Sequence, residues 1–565
     1  MKVLILRSYL PIMQYKYTVL TNTTLGVIMS SLDANIVMIS LPTIFRGLNI
    51  NPFSSGEFIF LLWLIMGYSV VLASVLVTLG RISDIYGRTR MYTRGFIIFT
   101  VSAVILSVVP DGSGNLGATI LITVRMIQAI GGGFLMVNSA ALLVDAFPIT
   151  ERGKALGLNQ SAFIIGSVLG LVMGGILAGF NWHLVFIVNI PFGFAGTVWS
   201  IFKLKRTHEK VKVKIDYWGN VSLALGLVLL SLGFTYALNP YGNSQMGWSD
   251  PWVWLSFIFG FLCIVSFIMV ERKVLNPLFN LSLFKIRPFT FGNLSLFFNT
   301  LARGAVMFLV TIWLQGIYLP MHGVPYKQTP FLAGIYLIPM MVGIVSMAAI
   351  SGHLSDRYGA RIFSTSGMLL MALALFLLIQ LPYNFNILEF ELIMYLFGTG
   401  SGLFVSPNTT AIMNSIASKD RGTGNGMRMT LLNIGSTISM ATFFSITITI
   451  FSQGVPSAMY NAAIKIVPQQ VATYLSQLPA SGFLFAAFMG VDPLAAIKSS
   501  INLSPAALNA LSSHTFLPNI IGPSFIIGFR TSIYISIALI LIGAVFSASR
   551  GGRYVHEEDL LNNKK

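Results

Sequence analysis

Apolar runs of about twenty residues recur along almost the whole of this chain, and each is long enough to cross a bilayer. No other feature narrows the possible folds so far. Taken by run length, with each run read as a helix, spans are expected near 18–45, 57–79, 91–109, 117–146, 154–179, 183–203, 216–238, 251–271, 288–319, 331–350, 362–381, 387–416, 424–452 and 524–548. Charge is scarce enough to agree: 9% of residues are charged, where a soluble protein carries about 25%. The expectation is an all-α polytopic membrane protein of about fourteen transmembrane helices, not a soluble domain with an anchor.

The charges that do occur say which way the chain faces. On a soluble protein a formal net charge of +17 would raise the question of nucleic acid. Here the basic residues collect in alternate short loops. Roughly 28 of the Lys and Arg residues fall on one side and about four on the other, which makes the basic side cytoplasmic. An even number of spans then puts both termini inside. Lys2, Arg7 and Lys16 precede a span that continues into the bundle, so no cleavable signal peptide is expected. Cys263, the one cysteine, lies in an apolar run and forms no internal disulfide.

Between the second and third spans stands Gly80-Arg-Ile-Ser-Asp-Ile-Tyr-Gly-Arg-Thr-Arg90, and the pattern returns as Gly352-His-Leu-Ser-Asp-Arg-Tyr-Gly-Ala-Arg361. Each copy is followed at similar spacing by an acid-Arg-Gly triplet, Glu151-Arg152-Gly153 and Asp420-Arg421-Gly422. Self-similarity at fixed spacing marks a duplication. When the repeated unit is a set of membrane helices, the chain is expected to form two related halves of a transporter. The domains expected are an N-terminal six-helix bundle over 18–203, a basic linker with two extra helices over 204–286, a C-terminal six-helix bundle over 287–548, and a cytoplasmic tail over 549–565. Within the second bundle an insertion at about 453–523 falls on the outer side. Its apolar spacing reads as short amphipathic helices on the outer surface or over the pore mouth.

The repeated loop resembles the motif between the second and third helices of the major facilitator superfamily. Other segments are similar to its fourteen-helix drug:proton antiporter branch. Span one has Leu32-Asp33-Ala34-Asn35-Ile36-Val37 and Leu41-Pro42, with Asn35 where Thr is usual. Span four has Arg125-Met-Ile-Gln128-Ala-Ile-Gly131-Gly-Gly133. Span five has Gly166, Gly170, Gly174 and Gly175 in the antiporter pattern, with Leu171 where Pro is usual. Asn181-Trp182-His183, Phe186 and Asn189-x-Pro191-x-Gly193 fit the start of span six. Asp216-Tyr-Trp-Gly219 and Gly247-Trp-Ser-Asp-Pro251 fit two extra central helices. The resemblance implies the major facilitator fold, a plasma-membrane location, and proton-coupled efflux of drug-like or amphipathic compounds.

Three groups of residues are expected to carry that function. Gly80, Asp84, Gly87, Arg88 and Asp145, with Gly352, Asp356, Gly359 and Arg361 of the second copy, are expected at a cytoplasmic gate. The glycines allow turns and close approach, and Arg88 can reach Asp84 and Asp145. Asp33 and Arg125 are expected at comparable depth, Asp33 roughly 18 Å in at 1.5 Å per residue. Intramembrane ionisable residues are functional by default. Burial disfavours the charge of Asp33 and an adjacent guanidinium favours it, which suits a proton-exchanging carboxylate. A static ion pair is the competing reading. Gly166, Gly170, Gly174 and Gly175 are expected at a helix-packing seam. Asn35, Gln128 and Arg303 are candidates for substrate contact. No metal motif, nucleophile constellation or phosphate-binding loop occurs, so no catalysis, cofactor or metal is expected. The expected partners are a small-molecule substrate, protons and the lipid bilayer. Export of one specific metabolite, lipid or siderophore, or a transport-inactive receptor, are the other readings.

Overall fold

The computed structural model describes residues 2–51, 57–205, 216–274 apart from 240, 243 and 245, 279–417, 421–489 and 515–552. The first bundle contains α1 (Lys2–Leu48), α2 (Phe58–Tyr86), α3 (Arg88–Ser107), α4 (Gly114–Ala146), α5 (Ile149–Phe180) and α6 (Leu184–Lys203). Two helices follow, α7 (Tyr217–Tyr236) and α8 (Pro251–Lys273). The second bundle contains α9 (Arg287–Met321), α10 (Thr329–Tyr336 continued by Ile338–Tyr358), α11 (Ala360–Leu378), α12 (Ile387–Asn414) and α13 (Arg421–Ala463). The short helices α14 (Gln469–Gln477) and α15 (Ala480–Met489) precede the last long helix, α16 (Phe516–Ser549).

Twelve of these helices are long and apolar enough to cross a membrane. The other two spans read from the sequence are also long helices, α3 of 20 residues and α5 of 32. α3 is less apolar because Arg88, Arg90 and Arg94 stand in its first two turns. In α5 the apolar part is Ile165–Phe180.

In the first bundle α1 packs on α5, α4 and α6, and α4 on α2 and α3; in the second, α12 packs on α10 and α11, and α9 on α13 and α16. α7 and α8 pair with each other outside both bundles, with α7 leaning on α2 and α13. Trp252, Trp254 and Phe261 of α8 stay exposed, as expected of side chains that face lipid rather than protein. The repeated loops break the chain the same way twice. Gly87 at φ +98° and Gly359 at φ +85° each end one helix and begin the next. Their amides donate to the Ser83 and Ser355 carbonyls, both at 2.9 Å. That backbone region is open to glycine at little cost.

The bundles touch near both ends. Near the end carrying the repeated loops, the basic end, α2 packs on α13, and Val77 approaches Gly426. Near the far end α5 packs on the first part of α10. There Gln315 Nε2 of α9 donates to the Ile39 carbonyl of α1 at 3.2 Å. Arg46 Nη2 likewise reaches the Tyr326 carbonyl at 3.4 Å. Gln315 lies in a π-helical turn, Trp313–Tyr318, a distortion that often marks functional sites.

The insertion departs from expectation. α13 runs on to Ala463, and α14 meets α15 at a 90° bend. α14 buries one face, Val471, Ala472 and Leu475. α15 does not lie on the surface, because every residue from Ala480 to Met489 is buried. It is wedged between the halves, against α1 and α2 on one side and the π turn of α9, α13 and α16 on the other. A helix apolar all round has no face to give to water. At ten residues it is too short to read as a span.

Candidate functional site

Three helices of the first bundle converge on Asp33. α1 supplies the carboxylate, α4 supplies Arg125 and, one turn on, Gln128, and α6 supplies Asn189. Arg125 Nη1 donates to Asp33 Oδ2 and, at 3.2 Å, to Gln128 Oε1. Asn189 Nδ2 donates to Asp33 Oδ1 at 2.8 Å, and Gln128 Nε2 reaches the same oxygen at 3.4 Å. The guanidinium lies 4.7 Å from the centroid of the Tyr68 ring. Asp33 has no accessible surface and Arg125 has 2%. In so dry a place the two charges depend on each other, since removal of either leaves an uncompensated buried ion. Protonation of Asp33 and release of Arg125 are therefore linked events.

Sequence reasoning missed Asn189 and Tyr68. Asn189 was read only as part of a helix-start pattern, although a polar residue well inside an apolar run was the available signal. The three candidates for substrate contact fall in different places. Gln128 belongs to the ion-pair network. Asn35 donates to the Ser31 carbonyl of its own helix at 2.9 Å and borders Gly170. Arg303 is in the other bundle and donates to Ser401 Oγ at 3.3 Å.

At the basic end the structure brings together Asp84, Arg88 and Asp145. Arg88 Nε donates to Asp84 Oδ1 at 2.9 Å, and Nη1 to Asp145 Oδ1 and Oδ2 at 2.8 and 3.0 Å. Burial works against the Arg88 charge, but Asp145 and then Asp84 outweigh it and hold the guanidinium above its ordinary range. All three side chains remain about one-third exposed. Each pair is then worth no more than about 1 kcal/mol, weak enough to break and re-form.

The second copy is not equivalent. Gly352 packs against Ser406, and Arg361 is exposed; the Asp356 side chain lies outside the described residues. The loops start 272 residues apart, at 80 and 352, and that shift carries Asp145 to Ala417. The second loop therefore has no acid at the corresponding position. In the first loop Gly80 faces Val137, where an added methyl would sit 3.1 Å away.

The glycines of α5 divide between two seams. A methyl on Gly166 or Gly174 would lie 2.6 or 2.8 Å from the carbonyl oxygens of Ile28 and Ile36, and one on Gly170 closer still to that of Leu32. These three glycines let α1 and α5 meet backbone to backbone beside Asp33. Gly175 faces the other bundle, 2.6 Å from the Pro330 carbonyl oxygen by the same construction.

Comparison with known proteins agrees with this architecture. The family model described as Major Facilitator Superfamily matches residues 23–440. The riboflavin transporter RibZ of Clostridioides difficile (strain 630) is 30% identical over 458 residues, 80% of this chain and 91% of that protein. The multidrug transporter protein MdtP of Bacillus subtilis (strain 168) is 28% identical over 546 residues, 94% of this chain and 93% of that protein. Among solved structures, an inward-facing, occupied bacterial homologue of the human lysosomal transporter Spinster aligns with a TM-score of 0.55 at 13% identity. The alignment covers 96% of this chain and 98% of that one.

Proposed function

This chain belongs to the major facilitator superfamily, and from that premise we propose a proton-coupled exporter of drug-like, amphipathic compounds. It is a secondary transporter, and the two bundles rock about their seams so that a midplane site opens to one side at a time. On this reading the basic end faces the cytoplasm of the plasma membrane, both termini included. One observation supports the coupling: among the described residues Asp33 is the one acid placed deep within a span, and it is enclosed with Arg125. A carboxylate there can carry a proton across only if the Arg125 pair opens during the cycle. Relatives named as multidrug transporters favour a broad substrate range. The relative named as a riboflavin transporter favours one metabolite instead.

The test is purified protein in liposomes with an imposed pH gradient and a panel of cationic, neutral and anionic amphiphiles. Concentrative transport that collapses with the gradient is the expected result. Transport indifferent to the gradient, or none of any compound, would overturn the reading. A panel reduced to one accepted compound would favour the metabolite alternative.

The Asp84–Arg88–Asp145 cluster is proposed as a latch at the cytoplasmic side. Asp84→Asn removes one of two carboxylates from Arg88 without burying a charge, so expression should hold. Turnover should fall several-fold as the balance shifts toward inward-open forms. Spin-label distances across the basic end, unchanged in that variant, would count against the latch.

A further inference from the structure

We infer that Arg303 forms an anion-accepting subsite, so that the exported compounds carry a carboxylate or similar oxyanion on an apolar body. The inference rests on the exporter reading and narrows its substrate class. Arg303 lies sixteen residues into α9, about 24 Å from the basic end of that helix at 1.5 Å per residue. Its recorded partner is a hydroxyl, Ser401 Oγ of α12. No carboxylate among the described residues pairs with it. A guanidinium has five N–H donors, so most of its capacity is free.

The surroundings say where that capacity points. Its neighbours Ala302 and Val306 and its partner Ser401 are buried, whereas Arg303 keeps partial accessibility. A partly accessible guanidinium at that depth can still meet a bound molecule. Arg530 differs, since its Nη2 is tied to the Leu381 carbonyl at 3.0 Å and its Nε is closed off.

The duplication gives the position meaning. The 272-residue shift between the repeated loops carries Asp33 to position 305, two residues from Arg303. It carries Arg125 to 397, one helical turn from Ser401. The second bundle thus repeats the helix pairing of the Asp33–Arg125 site with the carboxylate missing. A mid-membrane charge is normally paired, and here the substrate supplies the partner.

A cationic substrate has no such welcome. Every other acid among the described residues lies in a loop or near a helix end, and the one carboxylate at depth is closed by Arg125, Asn189 and Gln128. The membrane potential favours the same class. Exchange of a monoanion outward for a proton inward moves two positive charges into a negative interior, so the potential drives it.

The experiment measures binding and transport separately. Several naphthalene- and biphenyl-based amphiphiles, each as carboxylate, methyl ester and primary amine, are tested for binding to the full-length protein and for movement in proton-loaded liposomes. The carboxylates should bind at least about tenfold more tightly than the matched amines. Arg303→Gln should erase that preference while leaving ester binding unchanged, as expected for loss of a charge-assisted hydrogen bond. Arg303→Lys should keep most of it. If Arg303→Gln fails to fold, Ser401→Ala, which frees the guanidinium, should leave carboxylate binding intact or tighter. Preference for amines, no binding of any carboxylate, or equal losses of ester and carboxylate in Arg303→Gln would overturn the inference. Amines carried by the proton gradient would leave the exporter reading standing without it. Carboxylates bound through Arg303 but never moved would do the reverse.

Discussion

Asp33→Asn protein, reconstituted with a pH gradient, is expected to lose concentrative transport altogether while still allowing downhill exchange of neutral compounds. The amide keeps the shape of the carboxylate and abolishes its titration. It also strips Arg125 of its one carboxylate, leaving Gln128 Oε1 and the Tyr68 ring as its neighbours. Breaking one side of a buried pair costs about 3–5 kcal/mol, so lowered heat stability is expected as well. Two losses with one cause would not separate coupling from scaffolding. The double variant Asp33→Asn with Arg125→Gln does, because removing both charges of a buried pair is often nearly neutral for stability. It should recover heat stability and remain unable to concentrate substrate. If the double variant transports against a gradient as wild type does, Asp33 and Arg125 only hold α1 to α4. If Asp33→Asn alone keeps wild-type proton stoichiometry, the coupling group is elsewhere.

A charge placed in α15 should have the next largest effect. Ala487 has no accessible surface and lies beside Gly316 of the π turn. The helix around it offers phenylalanines, with the Phe485 ring 5.8 Å from that of Phe444. Ala487→Asp would need either a proton or a hydrogen-bonding partner that those neighbours do not provide. The cost of an unpaired charge in such a place is several kcal/mol. The helix should leave its slot between the bundles, opening the far end around the Gln315–Ile39 contact. The measurement is labelling of Gln315→Cys by a membrane-impermeant maleimide, in a Cys263→Ser background that removes the native cysteine. Little labelling is expected with the native α15 and rapid labelling with Ala487→Asp. Equal labelling and equal heat stability in both would mean that α15 does not close the far end.

The broad architecture was legible because it follows from local rules. Apolar runs locate the long helices, and α3 and α5 are recognisable despite the charges at their starts. The repeated Gly-x-x-Ser-Asp pattern gives the two related halves, and glycine at 87 and 359 marks where each helix must break. Asp33 and Arg125 could be named together because both stand at similar depth in apolar runs. Arg88 could be matched with Asp145 because alternate spans return their ends to the same side.

What the sequence determined by itself is therefore the set of elements, their order across the bilayer, and the depth of each charge, since these depend on residues near one another in the chain. Which side chains meet was decided by the tertiary structure alone. Asn189 completes the Asp33 site because α6 crosses α1 there, 156 residues away. Gly175 and Gly174 are adjacent in sequence, yet one faces α10 and the other α1, because a 100° turn of the helix separates neighbours. The ten apolar residues of α15 fall below the length that signals a span. Their burial comes from a slot built by both bundles, which no stretch of the insertion itself describes.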